Sequence, residues 1–199
     1  MATAIITACA DPSVLAALAP HERLALFRPP AKQLAALVDI ASDARGCVVS
    51  ATDGGTLVGY VAFHPPTEVE SWGADATGEL IELGAIEVAP EYRSQNLARR
   101  LLQASFEGGR FDHTVVFATL YVWHYDLVRS GLTDLAYRRM LERLYHSAGM
   151  DSFPTSDEEI RSSAVNALMA RIGPLAPPRV VEEFHRLRRA QPVTAAGAW

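Results

Sequence analysis

The sequence predicts a mixed α/β fold in which helices cover both faces of a single sheet. Two β-rich runs, 46–52 and 56–64, flank the turn signal DGG at 53–55 and predict an antiparallel hairpin. Two later β-rich runs, 79–88 and 113–123, alternate with amphipathic segments. Strands that alternate with helices along a chain are typical of a sheet covered on both sides.

The remaining segments supply the helices and one further strand. Apolar residues recur at the spacing of one helix face, and prolines and glycines stand where helices begin and end. The stretches 65–79 and 150–166 are predicted as loops, the second with a short helix as an alternative. The other predicted elements are a helix-prone region at 12–27 broken at Pro20, helices at 31–43, 96–107, 134–149 and 177–190, and a strand at 167–173.

Length and composition predict one domain over residues 1–199, with a C-terminal helix and tail at 174–199. The chain has 49% apolar and 21% charged residues and a net charge of −5, which disfavours a nucleic-acid partner. Cys9 and Cys47 have no metal-ligand spacing and do not suggest a disulfide framework, so a reducing cytoplasm is expected and no metal site is predicted. The N-terminal stretch has no basic region typical of a signal peptide, and no apolar run reaches the roughly 18 residues of a membrane helix.

The segment IELGAIEVAPEYRSQNLARRLL at 81–102 combines a strand, a tight polar loop and the start of a helix. Such a junction leaves several backbone N–H groups without partners, and the helix dipole adds partial positive charge at the same point. Arg93, Arg99 and Arg100 add cations nearby. The segment therefore predicts an anion site that suits a pyrophosphate.

The same residues resemble the acetyl-CoA-binding motif of the GNAT superfamily of N-acetyltransferases. That motif is V-x-P, an aromatic residue, and then R/Q-x-x-G-x-G/A, and it is similar to Val88 to Pro90, Tyr92 and the loop that starts at Arg93. Asn96 stands where the family has its central glycine, and asparagine tolerates a positive φ better than most residues. The resemblance implies a mostly antiparallel sheet with one splayed parallel pair, and acetyl-CoA as the cofactor.

Four blocks are similar, in order and spacing, to the acetoin-utilisation acetyltransferases within that superfamily. They are FRPPAKQLAALVDIA, LIELGAIEVAPEYR, YVWHYDL and NALMARIG, and the resemblance covers roughly residues 26–188. It implies a protein-lysine N-acetyltransferase that acetylates and inactivates acetyl-CoA synthetase by direct transfer in a ternary complex.

The resemblance also implies which residues hold the cofactor. Backbone groups of the strand are expected to bond the pantetheine arm, and the loop and helix start are expected to bind the phosphates. The predicted cofactor residues are Ile86, Glu87, Val88, Arg93, Ser94, Gln95, Asn96, Leu97, Ala98 and Arg99.

Glu82 is predicted as the general base. The lysine amine has a pKa of about 10.4, so a group on the enzyme must accept its proton, and a glutamate in a partly apolar strand can have a pKa raised for this task. Glu82 stands six residues before Val88, where many relatives carry their base. Gly84, between Glu82 and Glu87, is expected to permit a β-bulge.

Further site residues are expected on the late helix and at the end of the fourth strand. In many relatives a tyrosine at the position of Tyr145 protonates the leaving thiolate, and His124 is a candidate proton relay. A packed histidine and a core tyrosine are the structural alternatives. The expected substrate-binding residues are Trp123, Tyr125, Asp126 and Arg28.

Two other functions stay open at this point. An acetyltransferase of a small amine would share the cofactor site and differ in the acceptor cleft. A non-catalytic acyl-CoA-sensing partner would share only the binding motif. A homodimer is also compatible with the sequence.

Overall fold

A computed structural model of the chain describes residues 4–67 and 71–190. Its centre is one sheet of eight strands, seven of them in the order β1-β3-β4-β5-β6-β8-β7, with β2 paired to β4. The strands are β1 (Ile5–Thr7), β2 (Ala19–Pro20), β3 (Cys47–Asp53), β4 (Thr56–His64), β5 (Leu80–Val88), β6 (Val115–Leu120), β7 (Asp151–Phe153) and β8 (Ala167–Ile172).

Most neighbouring strands are antiparallel, and β5 and β6 form the parallel pair at the centre of the sheet. Their ladder covers only Leu80–Glu82 against Val115–Phe117. Beyond Glu82 the ladder of β5 continues on the β4 side, as far as Val88. The sheet is therefore split between β5 and β6, which confirms the expected splayed pair.

A β-bulge at Gly84 lies where the split begins. Ala62 of β4 pairs with Ala85 and Phe63 pairs with Leu83, so Gly84 is an extra residue. A side chain here would have its Cβ 2.2 Å from His64 Nε2, so only glycine fits without movement of the imidazole. The extra residue reverses the alternation of side chains and places Glu82 and Glu87 on the same face of the sheet.

Helices cover both faces of the sheet, as predicted. α3 (Leu97–Phe106) and α5 (Asp134–His146) pack on one face, and α2 (Pro30–Ser42) and α7 (Pro178–Leu187) pack on the other. Three shorter helices complete the set: α1 (Pro12–Ala16), α4 (Leu127–Ser130) and α6 (Glu158–Arg161). No helix among residues 4–67 and 71–190 is long and apolar enough to cross a membrane.

The hairpin and the main helices lie close to their predicted bounds, but the segments predicted at 12–27, 113–123 and 150–166 differ, the last because Asp151–Phe153 pairs with β8 as a strand. The helix predicted over 12–27 is wrong beyond Ala16, because Ala19–Pro20 adds the short strand β2 to the edge of β4. β6 ends at Leu120 rather than at 123, and a 3₁₀ turn follows at Val122–His124. The tail predicted to run to residue 199 lies outside the described residues from 191 onward.

The segment predicted as a loop at 65–79 is packed against the domain over its described part. Trp72 is 3% exposed and stacks on Phe117, with ring centroids 4.2 Å apart, and it also stacks on Phe184 of α7. The Ala76 N–H donates to Glu183 of the same helix. This segment therefore anchors α7 to the sheet.

The expectation that Cys9 and Cys47 stay unpaired is wrong, because the two residues form a disulfide. They are 38 residues apart in the chain, with Cα atoms 4.8 Å apart. Cys9 lies just after β1 and Cys47 begins β3, and these strands are antiparallel neighbours. The sheet register brings the cysteines together, and their spacing in the sequence carries no sign of it.

Candidate active site

The loop predicted to bind phosphates has the backbone geometry that the sequence pattern requires. A 3₁₀ turn at Pro90–Gln95 follows β5, and Asn96 then adopts the left-handed conformation with φ 52° and ψ 26° before α3 begins at Leu97. Asparagine is one of the few side chains that adopt this conformation at modest cost. The turn therefore forms without the glycine of the family pattern, and the start of α3 faces an open cleft.

This cleft has a volume of about 540 Å³ and lies between the end of β5, the loop, α4 and α5. Arg93, Arg99 and Arg129 line it and give it the positive charge that phosphate groups require. Seven of the predicted cofactor residues line the cleft: Ile86, Glu87, Val88, Arg93, Asn96, Ala98 and Arg99.

The other three predicted cofactor residues do not line this cleft. Ser94 is exposed and Gln95 is half-buried in the 3₁₀ turn, and neither side chain is among those that form the walls. Leu97 is fully buried in the hydrophobic core. Only backbone groups of Leu97 remain available to a ligand.

Arg93 makes a different contact from the one predicted. Its guanidinium lies 2.8 Å from Asp126 Oδ2, and its Nε donates to the Val88 carbonyl at 3.1 Å. Asp126 is 6% exposed, so its carboxylate is taken up by this ion pair. The role of Asp126 in gripping the substrate stays a prediction, and its carboxylate would have to leave Arg93 to do so.

A second, smaller cavity of about 60 Å³ passes through the split between β5 and β6. Leu83, Gly84 and Ala85 form its β5 side, and Thr119 and Leu120 form its β6 side. Four residues line both this passage and the larger cleft: Leu26, Ile86, Tyr137 and Leu141. The two cavities are therefore neighbours, and the edge of β5 runs along both of them.

Four tyrosines line the passage: Tyr121, Tyr125, Tyr137 and Tyr145. Tyr145 is 3% exposed, and burial raises its pKa far above the ordinary value. Tyr125 stacks on Tyr137 with centroids 4.8 Å apart and donates its hydroxyl proton to the Val165 carbonyl. Burial raises the pKa of Tyr125 to about 12. The phenols of Tyr125, Tyr137 and Tyr145 therefore stay protonated at neutral pH, and the proton of the Tyr125 hydroxyl is already donated to Val165.

His124 lies in the wall of the passage, and Trp123 precedes it in the 3₁₀ turn after β6. Partial burial lowers the pKa of the His124 imidazole although the Glu159 carboxylate opposes this shift. Trp123 is 54% exposed beside it. At neutral pH His124 is therefore mainly unprotonated and able to accept a proton.

The two glutamates of β5 differ in what they contact. Glu87 is 3% exposed and accepts hydrogen bonds of 2.8 Å from the Leu26 N–H and from the Tyr60 hydroxyl. Burial raises the pKa of its carboxyl above the ordinary value. Glu82 is 7% exposed and is not among the residues that line either cavity.

Arg28 lines neither cavity, and its role in substrate binding stays a prediction. It is exposed and its Nη1 donates to Gln33 Oε1 at 3.2 Å, which holds the first turn of α2. Its neighbours Leu26 and Phe27 line the passage instead. No sequence pattern marked Leu26, Phe27, Tyr121 or Tyr137 individually as a site residue, although Phe27 and Tyr121 begin the blocks FRPPAKQLAALVDIA and YVWHYDL.

A phosphate-binding loop beside a split parallel pair is the arrangement of an acyl-CoA-dependent acetyltransferase, and comparisons with known proteins agree. The sequence model that describes the Acetyltransferase (GNAT) family matches residues 15–119 of the chain. The acetoin utilization protein AcuA of Bacillus subtilis (strain 168) is 40% identical over 178 residues, which is 89% of this chain and 85% of that protein. The chain therefore belongs to the GNAT acetyltransferase family and, within it, to the group of AcuA proteins.

Solved structures agree with this assignment. An acetoin utilization protein from Exiguobacterium sibiricum 255-15 matches with a TM-score of 0.89 and 35% identity, over 95% of this chain and 96% of that one. The fold of yncA from Salmonella typhimurium, whose structure carries its cofactor acetyl-CoA, matches with a TM-score of 0.53 and 15% identity over 88% and 96% of the two chains. The protein is an N-acetyltransferase, and acetyl-CoA is its cofactor.

Proposed function

We propose that the protein is a protein-lysine N-acetyltransferase that acetylates and inactivates acetyl-CoA synthetase. The two AcuA relatives are named for acetoin utilization, and an enzyme that controls the use of acetate fits such metabolism. The target itself is carried over from the sequence resemblance.

The size of the acceptor passage is the observation that carries this proposal. Cavities that enclose a whole small molecule usually have volumes of about 300–1,000 Å³, and the passage has about 60 Å³. A space of this size takes the end of one unbranched side chain while the rest of the acceptor stays outside. A lysine on a protein surface meets this requirement, and a free amine metabolite with its own bulky groups does not.

The residues of the cleft fit acetyl-CoA, the cofactor that supplies the acetyl thioester. The N–H groups at the start of α3 and the side chain of Arg99 would hold its phosphates, and Arg93, which pairs with Asp126, would keep the loop in position. The edge of β5 at Ile86 and Val88 would bond its pantetheine arm, since this edge has left β6. A backbone N–H on the same edge would polarise the thioester carbonyl.

Transfer is proposed to be direct. The lysine nitrogen forms a bond to the acetyl carbon, the bond from that carbon to sulfur breaks, and the nitrogen gives its proton to a base. The thiol leaving group needs little help because its pKa is near 8.5, and a tyrosine of the passage can donate a hydrogen bond to it. Both cysteines are held in the disulfide, and neither lines the cleft or the passage.

The identity of the base separates two hypotheses. The sequence resemblance favours Glu82. Among the residues that line the two cavities, Glu87 is the carboxylate, and burial has raised its pKa as a general base requires. We therefore propose Glu87 as the first proton acceptor, with Glu82 as the rival candidate.

The test is acetylation of acetyl-CoA synthetase, followed by intact-protein mass spectrometry and a synthetase activity assay. The wild-type enzyme should add one acetyl group at a lysine and stop the synthetase. Glu87→Gln should lower the rate constant by about 100-fold, in the range of general-base catalysis, and Glu82→Gln by less than tenfold. A larger fall in the rate constant for Glu82→Gln than for Glu87→Gln would identify Glu82 as the base. Absence of acetylation by the wild-type enzyme would refute the proposed target.

A further inference from the structure

Four aromatic side chains surround the outer end of the passage. The rings of Phe27, Tyr121 and Trp123 lie edge-on to His124, with centroid distances of 5.7, 6.2 and 6.1 Å. Tyr121 and Trp123 stack in parallel at 4.5 Å. We call this set of four residues the aromatic rim. Three of them line the passage, and Trp123 extends from it into solvent.

The acidic end of α6 adjoins this rim through a short chain of hydrogen bonds. The Asn166 side chain accepts from the Val122 N–H at 2.9 Å and donates to the Glu159 carbonyl at 3.0 Å. Val122 begins the 3₁₀ turn that also carries Trp123 and His124. The carboxylate of Glu159 is exposed, and its backbone carbonyl is two hydrogen bonds from the 3₁₀ turn that carries His124.

Aromatic faces and a carboxylate beside them attract the same kind of ligand. The face of an aromatic ring is negative and binds cations at about 6 Å or less, with tryptophan the best. The rings also offer apolar surface to the methylene stem of a lysine. Neither feature would favour an uncharged acceptor over a charged one, so a charged amine is the acceptor that suits this site.

Building on the proposed function, we infer that the aromatic rim and Glu159 form a recognition site for the ammonium group of the acceptor lysine. Trp123 and Glu159 receive the charged amine at the outer end of the passage, and the methylene stem packs on Phe27 and Tyr121. The amine reaches the thioester only after it loses a proton farther in. Both residues thus act on binding of the acceptor and not on the acetyl transfer step.

The inference is tested by binding rather than by turnover. The probes are a nine-residue peptide with one central lysine among neutral residues, and the same peptide with norleucine in place of lysine, which removes only the ammonium group. Binding of each fluorescently labelled peptide is measured by anisotropy in the presence of coenzyme A, so that no transfer occurs. The ratio of the two affinities reports recognition of the charge.

The wild-type protein should bind the lysine peptide at least tenfold more tightly than the norleucine peptide. Trp123→Leu keeps apolar bulk but removes the indole face, and it should lower the ratio about two- to fivefold, the range of an exposed cation–π contact. Glu159→Gln should lower it about threefold, as expected for an exposed charge. The matched control is Glu158→Gln, which removes the adjacent exposed carboxylate and should leave the ratio unchanged.

Equal affinities of the wild type for the two peptides, no binding of the lysine peptide at millimolar concentration, or equal effects of Glu158→Gln and Glu159→Gln would each overturn the inference. Affinity for coenzyme A, measured by calorimetry, should stay the same in every variant. Selective binding of the lysine peptide without acetylation of the synthetase would refute the proposed target and support the rim. Acetylation of the synthetase without selective binding would support the proposed target and refute the rim.

Discussion

Arg93 and Asp126 form an ion pair of 2.8 Å that joins the phosphate loop to the segment after β6. The two residues are on opposite sides of the split in the sheet. Asp126 directly follows the Trp123–Tyr125 stretch that carries part of the aromatic rim, and Arg93 is also held by the Val88 carbonyl. The cofactor loop and the acceptor side of the passage are therefore fixed to each other through one contact.

Asp126→Asn should weaken this contact and act on both substrates. The Asn side chain keeps its size but loses the charge, so Arg93 gains freedom and the loop loses its fixed position. Since Arg93 is about one-third exposed, the free energy of unfolding should fall by only about 1–2 kcal/mol. The KM for acetyl-CoA and the KM for the acceptor should both rise in steady-state kinetics. An increase in only one of them would show that the pair does not join the two sites.

Asn96 gives a test of the left-handed turn. Asn96→Ala removes the local polar side chain that makes a φ of 52° tolerable, and should lower the free energy of unfolding by about 1 kcal/mol. Asn96→Gly removes that strain as well as the side chain, so it should leave stability unchanged or raise it. Urea denaturation of both variants measures this. Equal destabilisation by alanine and glycine would contradict the role of the backbone conformation.

The affinity for acetyl-CoA gives a second readout of the same two variants. The Asn96 side chain lines the cleft at the phosphate loop, where glycine would let the backbone approach the pyrophosphate more closely. We expect Asn96→Gly to bind coenzyme A with equal or several-fold higher affinity in calorimetry. A loss of affinity would mean that the asparagine side chain itself contacts the ligand.

Glu87 should give the stability of the protein a defined pH dependence. Its pKa is raised in the folded state relative to the ordinary value of about 4.3, so the native protein binds the proton more tightly than the unfolded chain. This contribution to stability is complete below that ordinary value and is lost as the pH rises through the folded pKa.

Glu87→Gln removes this titrating group, so the difference in unfolding free energy between wild type and variant should change with pH. Denaturant titrations at several pH values from 4 upward measure it, and the variant should gain stability relative to the wild type as the pH rises. Glu91→Gln is a suitable control, because Glu91 is exposed and its pKa is lowered rather than raised. Parallel pH curves for wild type and Glu87→Gln would refute the raised pKa.

The sequence predicted the elements that depend on local patterns, and it missed the contacts that depend on the fold. The strand, loop and helix start at 81–102 are contiguous, so their geometry and their cofactor could be inferred from one motif. The Arg93–Asp126 pair spans 33 residues, and the aromatic rim combines a ring before α2 with three after β6. Spacing in the chain carries no record of such contacts.

The bulge at Gly84 shows the same limit within a single strand. The sequence analysis expected a bulge there, but strict alternation would place Glu82 and Glu87 on opposite faces. Only the observed register shows that the extra residue brings both carboxyl groups to one face. The choice between them as base could therefore not be settled from the pattern of residues.

Gly84→Ala should disturb the passage through His64. The new Cβ would lie 2.2 Å from His64 Nε2, so the imidazole must move and its hydrogen bond to the Pro65 carbonyl at 2.8 Å must break. We expect the free energy of unfolding to fall by about 1–3 kcal/mol, as for other overpacked sites, and acetyl transfer to slow because Gly84 lines the passage. In the double variant Gly84→Ala/His64→Ala the imidazole is absent, so much of the lost stability should return. A double-mutant cycle measured by urea denaturation gives this coupling directly, and additive effects of the two substitutions would show that the bulge does not depend on contact with His64.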